Sequence, residues 1–372
     1  MQSLKKCISV VEKSCISIPP GDPYFSDRHI KTHPLDKNNV HALSAREPER
    51  RVAFVDGGDN TIASAPNFVV SLVRVYYNVY RGSIKLKPAT VPSRIDFFAT
   101  VTTSITAAGE VEYITTITPL DPAYSAWVPD EPSLRLKAND PTLMKGGFPA
   151  IPCSVISAAR LFAEWLLAAF VIEKELDEGD VIVRDGTLQT SITNEWRFAK
   201  RAFDAALAKK VIMTGFAKSS ALLTTTGNSL SKVVKNLGDG VYPKIPWYYH
   251  PIADITLPDH RAEMFLIKPH ELARTAYRFE IFRDQAKAMT QGQIESVLAS
   301  IAANSRDISL PGYPYGLVDA DMFARVAGQE IKYYAALFAS LSQQQQGLAQ
   351  LQAAVDTHAA MDQSRFESKK VI

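Results

Sequence analysis

Two Asp-Gly steps, each closing a short apolar run, constrain this chain more than any other feature: Arg51-Val-Ala-Phe-Val-Asp56-Gly57-Gly58 and Asp180-Val-Ile-Val-Arg-Asp185-Gly186. Each run reads as a buried β-strand that delivers a carboxylate to its end, and the glycine behind it frees the backbone to turn sharply. A buried carboxylate is costly unless it is paired or bound to a metal. Two such strand ends side by side make a cation site, so metal-dependent chemistry is the first expectation.

A chain of 372 residues with 46% hydrophobic content can bury a substantial core, which excludes wholesale disorder. Its formal charge of +2 is only mildly basic. Composition therefore does not mark a nucleic-acid binder, and any basic surface must be local. Cys7, Cys15 and Cys153 are widely spaced and form no CxxC pair, so neither a disulfide framework nor a zinc site is supported. A reducing cytoplasm is the simplest compartment. The N-terminal segment lacks the apolar run of a signal peptide. The most apolar stretch, residues 161–172, carries Glu164 and reads as too short to span a bilayer. A soluble protein without a membrane partner is expected.

Residues 1–48 read as an irregular leader with one short helix over 4–15. Residues 52–55, 68–80, 95–106 and 110–117 are rich in β-branched and aromatic residues and predict an antiparallel meander. The seven prolines of residues 119–152 predict a long loop. Helical spacing then covers 154–176, capped by Ser154, followed by a strand at 181–183, a helix at 195–209 started by Ser191 or Thr193, and a strand at 211–216. Residues 224–259 read as irregular. Strands at 264–267 and 277–282 and helices at 291–303 and 320–341 complete a body spanning 49–341, and residues 342–372 form a Gln-rich tail. This order implies an α/β fold with a mixed sheet covered by helices. No GxGxxG or Walker motif occurs, which argues against nucleotide binding of those kinds.

Asp56 and Asp185 need company, because a hard divalent cation takes several oxygen ligands. Glu164 lies in an otherwise apolar helix, where it either pairs with Arg160 four residues earlier or joins the metal. Asp319 and Asp321 follow a Pro-Gly-Tyr-Pro turn where a helix begins. There Asp319 is a ready N-cap, and Asp321 suits the first turn. Trp247, Tyr248 and Tyr249 offer faces for base stacking, or fill a core. Lys209, Lys210, Lys232 and Lys235 offer phosphate contacts, or are solvated surface.

These residues, in order, resemble the NurA nuclease family: the strand ending Val55-Asp56-Gly57, the helix with Arg160-x-x-x-Glu164-Trp165, and the strand end Asp185-Gly-Thr-Leu188. The segment Gly215-Phe-Ala-Lys218-Ser219 and the run Gly312-Tyr313-Pro-Tyr-x-Leu-x-x-Ala320-Asp321-x-x-Ala-Arg325 continue the series. The resemblance spans residues 51–326. It implies an RNase H-like core with insertions and a manganese- or magnesium-dependent nuclease of DNA end resection. It also implies a homodimer and a HerA-type hexameric ATPase as partner. Carried over by position, Asp56, Glu164 and Asp185 match metal-binding acids, Tyr313 and Asp321 match a C-terminal motif near the metals, and Lys218 matches a basic residue of the site. Two departures stand out. Gly58 replaces the usual serine, and Asp321 stands where some members have histidine.

Two Mn2+ or Mg2+ ions on opposite sides of a scissile phosphate would activate water and stabilise the leaving oxygen, with Lys218 stabilising charge on phosphorus. The rival readings are another two-metal phosphoryl-transfer enzyme on the same core, and a non-catalytic scaffold for DNA or an ATPase.

Overall fold

The computed structural model describes residues 1–16, 19–43 and 50–342. The Gln-rich tail beyond Ser342 lies outside the described residues. The chain opens with α1 (Gln2–Ile16), β1 (Pro23–Tyr24), β2 (Lys31–Thr32) and β3 (Val40–Ala42). A meander follows: β4 (Arg51–Ala65), β5 (Phe68–Arg81), β6 (Ile84–Leu86), β7 (Arg94–Ile105), β8 (Val111–Pro119) and β9 (Leu136–Lys137). Helix and strand then alternate through α2 (Pro152–Lys174), β10 (Val181–Asp185), α3 (Glu195–Lys209) and β11 (Ile212–Ala217). Next come β12 (Leu223–Thr224), α4 (Leu230–Val241), β13 (Trp247–Tyr249), β14 (Ala253–Asp254), β15 (Ala262–Lys268) and β16 (Tyr277–Phe282). Helices α5 (Arg283–Ala288), α6 (Gln291–Asn304), α7 (Tyr315–Ala324) and α8 (Gly328–Ser342) close the described chain.

Twelve of the described strands form one mixed sheet in the order β3-β13-β15-β16-β11-β10-β4-β5-β7-β8-β9, with β6 beside β5. β10 runs parallel to both β4 and β11, and the other pairs are antiparallel. Parallel neighbours need crossover connections, and α2 and α3 supply them. The inner strands β7-β5-β4-β10-β11, with the first three antiparallel and the last two added in parallel, make an RNase H-like core within a mixed α/β fold. Strand periodicity divides the core into two layers. Ala53, Val55 and Ile182 face α2 and α3, whereas Val52, Phe54, Val181 and Val183 face α6 and α7.

Several expectations need correction. Residues 40–42 are not irregular: β3 pairs with β13 at the sheet edge. Residues 224–259 likewise hold α4, β13 and β14. Helix α2 starts at Pro152 behind Ile151, without a Ser154 cap. Asn194 in a left-handed conformation, rather than Ser191 or Thr193, precedes α3. Helix α2 runs on to Lys174 and so is long and apolar enough to cross a membrane, contrary to the shorter reading. However, 78% of its apolar window is buried within the fold, as in a core helix.

The helix expected over 320–341 is two helices. Arg325 is extended, and its carbonyl accepts a 3.0 Å hydrogen bond from Arg74 Nη1, while Arg74 Nη2 holds Glu330 of α8 at 2.7 Å. A buried arginine thus redirects the chain between α7 and α8. The apolar residues of the expected 320–341 helix are divided with it. Val326 is buried, Phe323 stacks on Tyr76 and Tyr334 meets Phe98, while Leu337 and Leu341 remain exposed.

Candidate active site

The parity that sorts the core also aims the acids. Asp56 and Asp185 share the α7-facing side with Phe54 and Val183, because each lies two residues further along the same strand. β10 is registered to β4 through Arg184 and Val55, so both carboxylates emerge where β10 stops. β11 ends one residue before Lys218, and α7 brings Asp321 over the same edge. One oxygen each of Asp56, Asp185 and Asp321 lies within 4.8 Å of the others. Lys218 Nζ donates to Asp185 Oδ2 and Asp321 Oδ1 at 2.6 Å each, and to Asp56 Oδ2 at 3.4 Å.

Burial, with the Asp185 and Glu164 charges adding to it, pushes the Asp56 carboxyl up to about 8 despite Lys218 and the Gly57 N–H. Burial works against the Lys218 ammonium, but Asp56, Asp185 and Asp321 outweigh it and raise its pKa. The site therefore demands positive charge. Tyr313 is 8% exposed, and its hydroxyl has no hydrogen-bond partner among the described residues. Burial and the charges of Asp185, Asp56 and Asp321 hold the phenol strongly protonated. Three hard oxygen donors, a surplus of negative charge and an unsatisfied hydroxyl beside them fit a hard divalent cation.

Gly57 and Gly58 serve close approach here rather than a turn, since β4 continues to Ala65. A Cβ at Gly57 would lie 2.6 Å from Glu164 Oε1, and one at Gly58 would lie 2.5 Å from the Ala324 carbonyl oxygen. The absent serine side chain at position 58 thus gives room to the end of α7, the helix carrying Asp321. Gly186, in contrast, has φ +103° and does turn the chain.

Glu164 sits on the α2 side, 2% exposed. Its Oε1 accepts from Arg160 Nη1, as the four-residue spacing anticipates, and its Oε2 accepts from Arg184 Nη2 at 2.9 Å. Glu164 is within electrostatic reach of Asp56, and both line an open cleft of about 400 Å3 with Arg160, Asp185 and Lys218.

Asp319 is not an N-cap, because α7 begins at Tyr315 behind Pro314. It is buried away from the site and accepts from Asn78, Tyr80 and Lys85 at 2.8, 3.2 and 2.6 Å. Asp321 lies in the last turn of α7 rather than the first. Trp247, Tyr248 and Tyr249 are at most 2% exposed, so they fill the core instead of stacking on bases. Lys209 and Lys210 precede β11 and sit at the end of the sheet opposite Lys218. Lys210 pairs with Glu178 and Lys235 with Asp239, while Lys232 lies on α4.

Sequence reading missed Arg184 and Glu280. A charged residue inside the apolar run Val181-Ile-Val-Arg184 was the available signal for the first. Glu280, fully buried, accepts from Leu188 N at 2.7 Å and from Arg278 Nε at 2.7 Å, and it meets His260 Nε2 at 2.9 Å. Nothing in the 277–282 strand pattern marks it.

The fold and site define an RNase H-like α/β domain with acids gathered at the ends of its central parallel strands. The NurA domain model matches residues 50–326, and this chain belongs to the NurA family. Among solved structures it is similar to the NurA nuclease from Sulfolobus solfataricus, at 10% identity and TM-score 0.49, covering 92% of this chain and 94% of that one. It is also similar to human ENDOV, at 13% identity and TM-score 0.32, covering 90% of this chain and 100% of that one. A. aeolicus Argonaute follows at 10% identity and TM-score 0.29, covering 74% of this chain and 28% of that one. No curated protein matches.

Proposed function

We propose that this chain is a metal-dependent deoxyribonuclease, trimming DNA ends and cutting single strands during end resection for double-strand break repair. The observation that carries the reading is the convergence of Asp56, Asp185 and Asp321 on one ammonium group, with the orphan Tyr313 hydroxyl beside them, in a NurA-family chain. Asp56, Asp185 and Asp321 would hold Mn2+ or Mg2+, two ions in all, with Glu164 as a fourth carboxylate on the α2 side. Bound there, the ions supply Lewis acidity toward a phosphodiester and a more acidic water.

The chain's own groups do the rest. Lys218 lines the cleft with its side chain 40% exposed and, once a cation takes over the carboxylates, has an ammonium to offer a phosphate oxygen. The Tyr313 hydroxyl is a donor without an acceptor among the described residues, suited to a phosphate oxygen or to fixing an aspartate. Phe216 and Tyr277 pack edge-on and tilted against its ring, at 5.5 and 5.8 Å between centroids, and hold that aim.

A homodimer using the exposed apolar residues of α8, a HerA-type hexameric ATPase as partner and a cytoplasmic location complete the reading. Its support is family membership and the two uncovered leucines, Leu337 and Leu341. The body 49–341 acts as the nuclease domain. DNA labelled at either end and incubated with Mn2+, Mg2+ or EDTA tests the activity. Shortened products with either ion and none with EDTA are expected; intact DNA under all conditions overturns the reading. Light scattering with and without the ATPase tests the assembly, and a monomer that never shifts overturns it.

A further inference from the structure

Arg184 is a guanidinium inside a core strand, 4% exposed, with apolar residues before it. Burying such a charge is costly unless it is paired, and the Arg184 Nε has no hydrogen-bond partner among the described residues, so the load falls on the two terminal nitrogens. Its Nη2 donates to Glu164 Oε2 at 2.9 Å, its Nη1 donates to the Thr187 carbonyl at 2.9 Å, and its guanidinium lies 4.6 Å from the Trp165 ring centre. Those anchors bracket Asp185. The residue before it is Arg184 itself, the carbonyl two residues after it is held by the same side chain, and Gly186 N donates to Phe216 O at 2.9 Å. Through Glu164 the bracket extends to the other aspartate, since that carboxylate packs where a Gly57 side chain would otherwise stand.

We infer that Arg184 is a positioning residue, stapling the Asp185 turn to α2 so that Asp185 and Asp56 keep the spacing a cation requires. Arg184 borders the same cleft as Asp56 and Asp185, but its guanidinium is bound to Glu164 and the Thr187 carbonyl, and strand alternation starts it on the sheet face opposite the Asp185 carboxylate, so it acts through the groups it holds. A lysine would keep the charge near Glu164 yet lose the fork that also reaches Thr187 O and the flat face over Trp165. The inference rests on the proposed metal site, and its test separates the two.

Arg184→Lys and Arg184→Gln in the full chain are compared with the unsubstituted protein. Hydrogen exchange of the Gly186 to Leu188 amides, read without ions, should quicken in Arg184→Lys. Mn2+ affinity, read by the electron paramagnetic resonance of free Mn2+, should fall roughly 10–100-fold, as for groups that orient metal ligands. Unchanged exchange overturns the staple. Faster exchange with unaltered Mn2+ affinity makes the staple merely structural and overturns the positioning role. Should Arg184→Gln fail to fold, Arg184→Lys carries both readouts. An unsubstituted protein that takes up no Mn2+ overturns the proposed site, while the exchange result still decides the staple.

Discussion

Asp56-Gly57 sits inside a strand that runs on to Ala65, whereas Asp185-Gly186 ends its strand. The two dipeptides are alike on paper, yet their glycines answer different needs. A side chain at Gly57 would run into Glu164 and Arg160, and one at Gly186 would be strained by its φ of +103°. One position is limited by space and the other by backbone torsion. The carboxylates nevertheless arrive at the same place, because strand parity and the register of β4 with β10 bring them there.

The largest effect tests whether the two steps are equal in function. Asp56→Asn and Asp185→Asn should each abolish Mn2+-dependent DNA cleavage and leave the melting curve essentially two-state, because the amide keeps the shape and loses the ligand charge. Near-normal cleavage by either variant would break the equivalence and the site with it.

Glycine substitutions sharpen the contrast at the next level. Gly57→Ala should cost about 1–3 kcal/mol by overpacking a buried carboxylate. Gly186→Ala should cost about 1–3 kcal/mol through backbone strain. The two differ in what asparagine does, since it tolerates positive φ better than alanine but is larger. Thermal denaturation should show Gly186→Asn milder than Gly186→Ala, and Gly57→Asn harsher than Gly57→Ala. The same ranking at both positions would erase the distinction.

A smaller effect comes from protons. The Asp56 carboxyl is pushed up to about 8, from an ordinary value of 3.8, so between those values the folded chain holds a proton that the unfolded chain has lost. Ion-free stability from this group therefore falls as pH rises through that window. Mn2+ binding at pH 7 should release about one proton by the same linkage. Calorimetry in two buffers of different ionisation enthalpy checks this, and identical heats would contradict it.

Beside the second step the sign reverses. Burial raises the Glu280 carboxyl, but Arg278, His260 and the Leu188 N–H outweigh it and bring it down to about 2 from 4.5. Its contribution is present above pH 4.5 and is lost as pH falls toward 2, so acid should loosen the turn after Asp185. Glu280→Gln should flatten the acid limb of the melting-temperature profile; an unchanged limb would remove Glu280 from that turn.

The sequence by itself determined the elements whose period was strong: the antiparallel strands, the apolar α2 and the alternation that carried Asp56 and Asp185 to one edge. Local pattern suffices there, because periods of two and near four residues decide which side chains face a core. The ordered motifs also sufficed for the family. Tertiary structure alone decided the rest. Trp247-Tyr-Tyr249 became a buried strand because β3 and β15 flank it, and the 320–341 helix broke because Arg74, far away in sequence, takes the Arg325 carbonyl. Asp319 and Asp321 are two residues apart on one helix, yet one is buried under Lys85 and the other faces Lys218. A two-residue step rotates a side chain well over a right angle around a helix axis, so only the packing of α7 on the sheet selects which acid reaches the site.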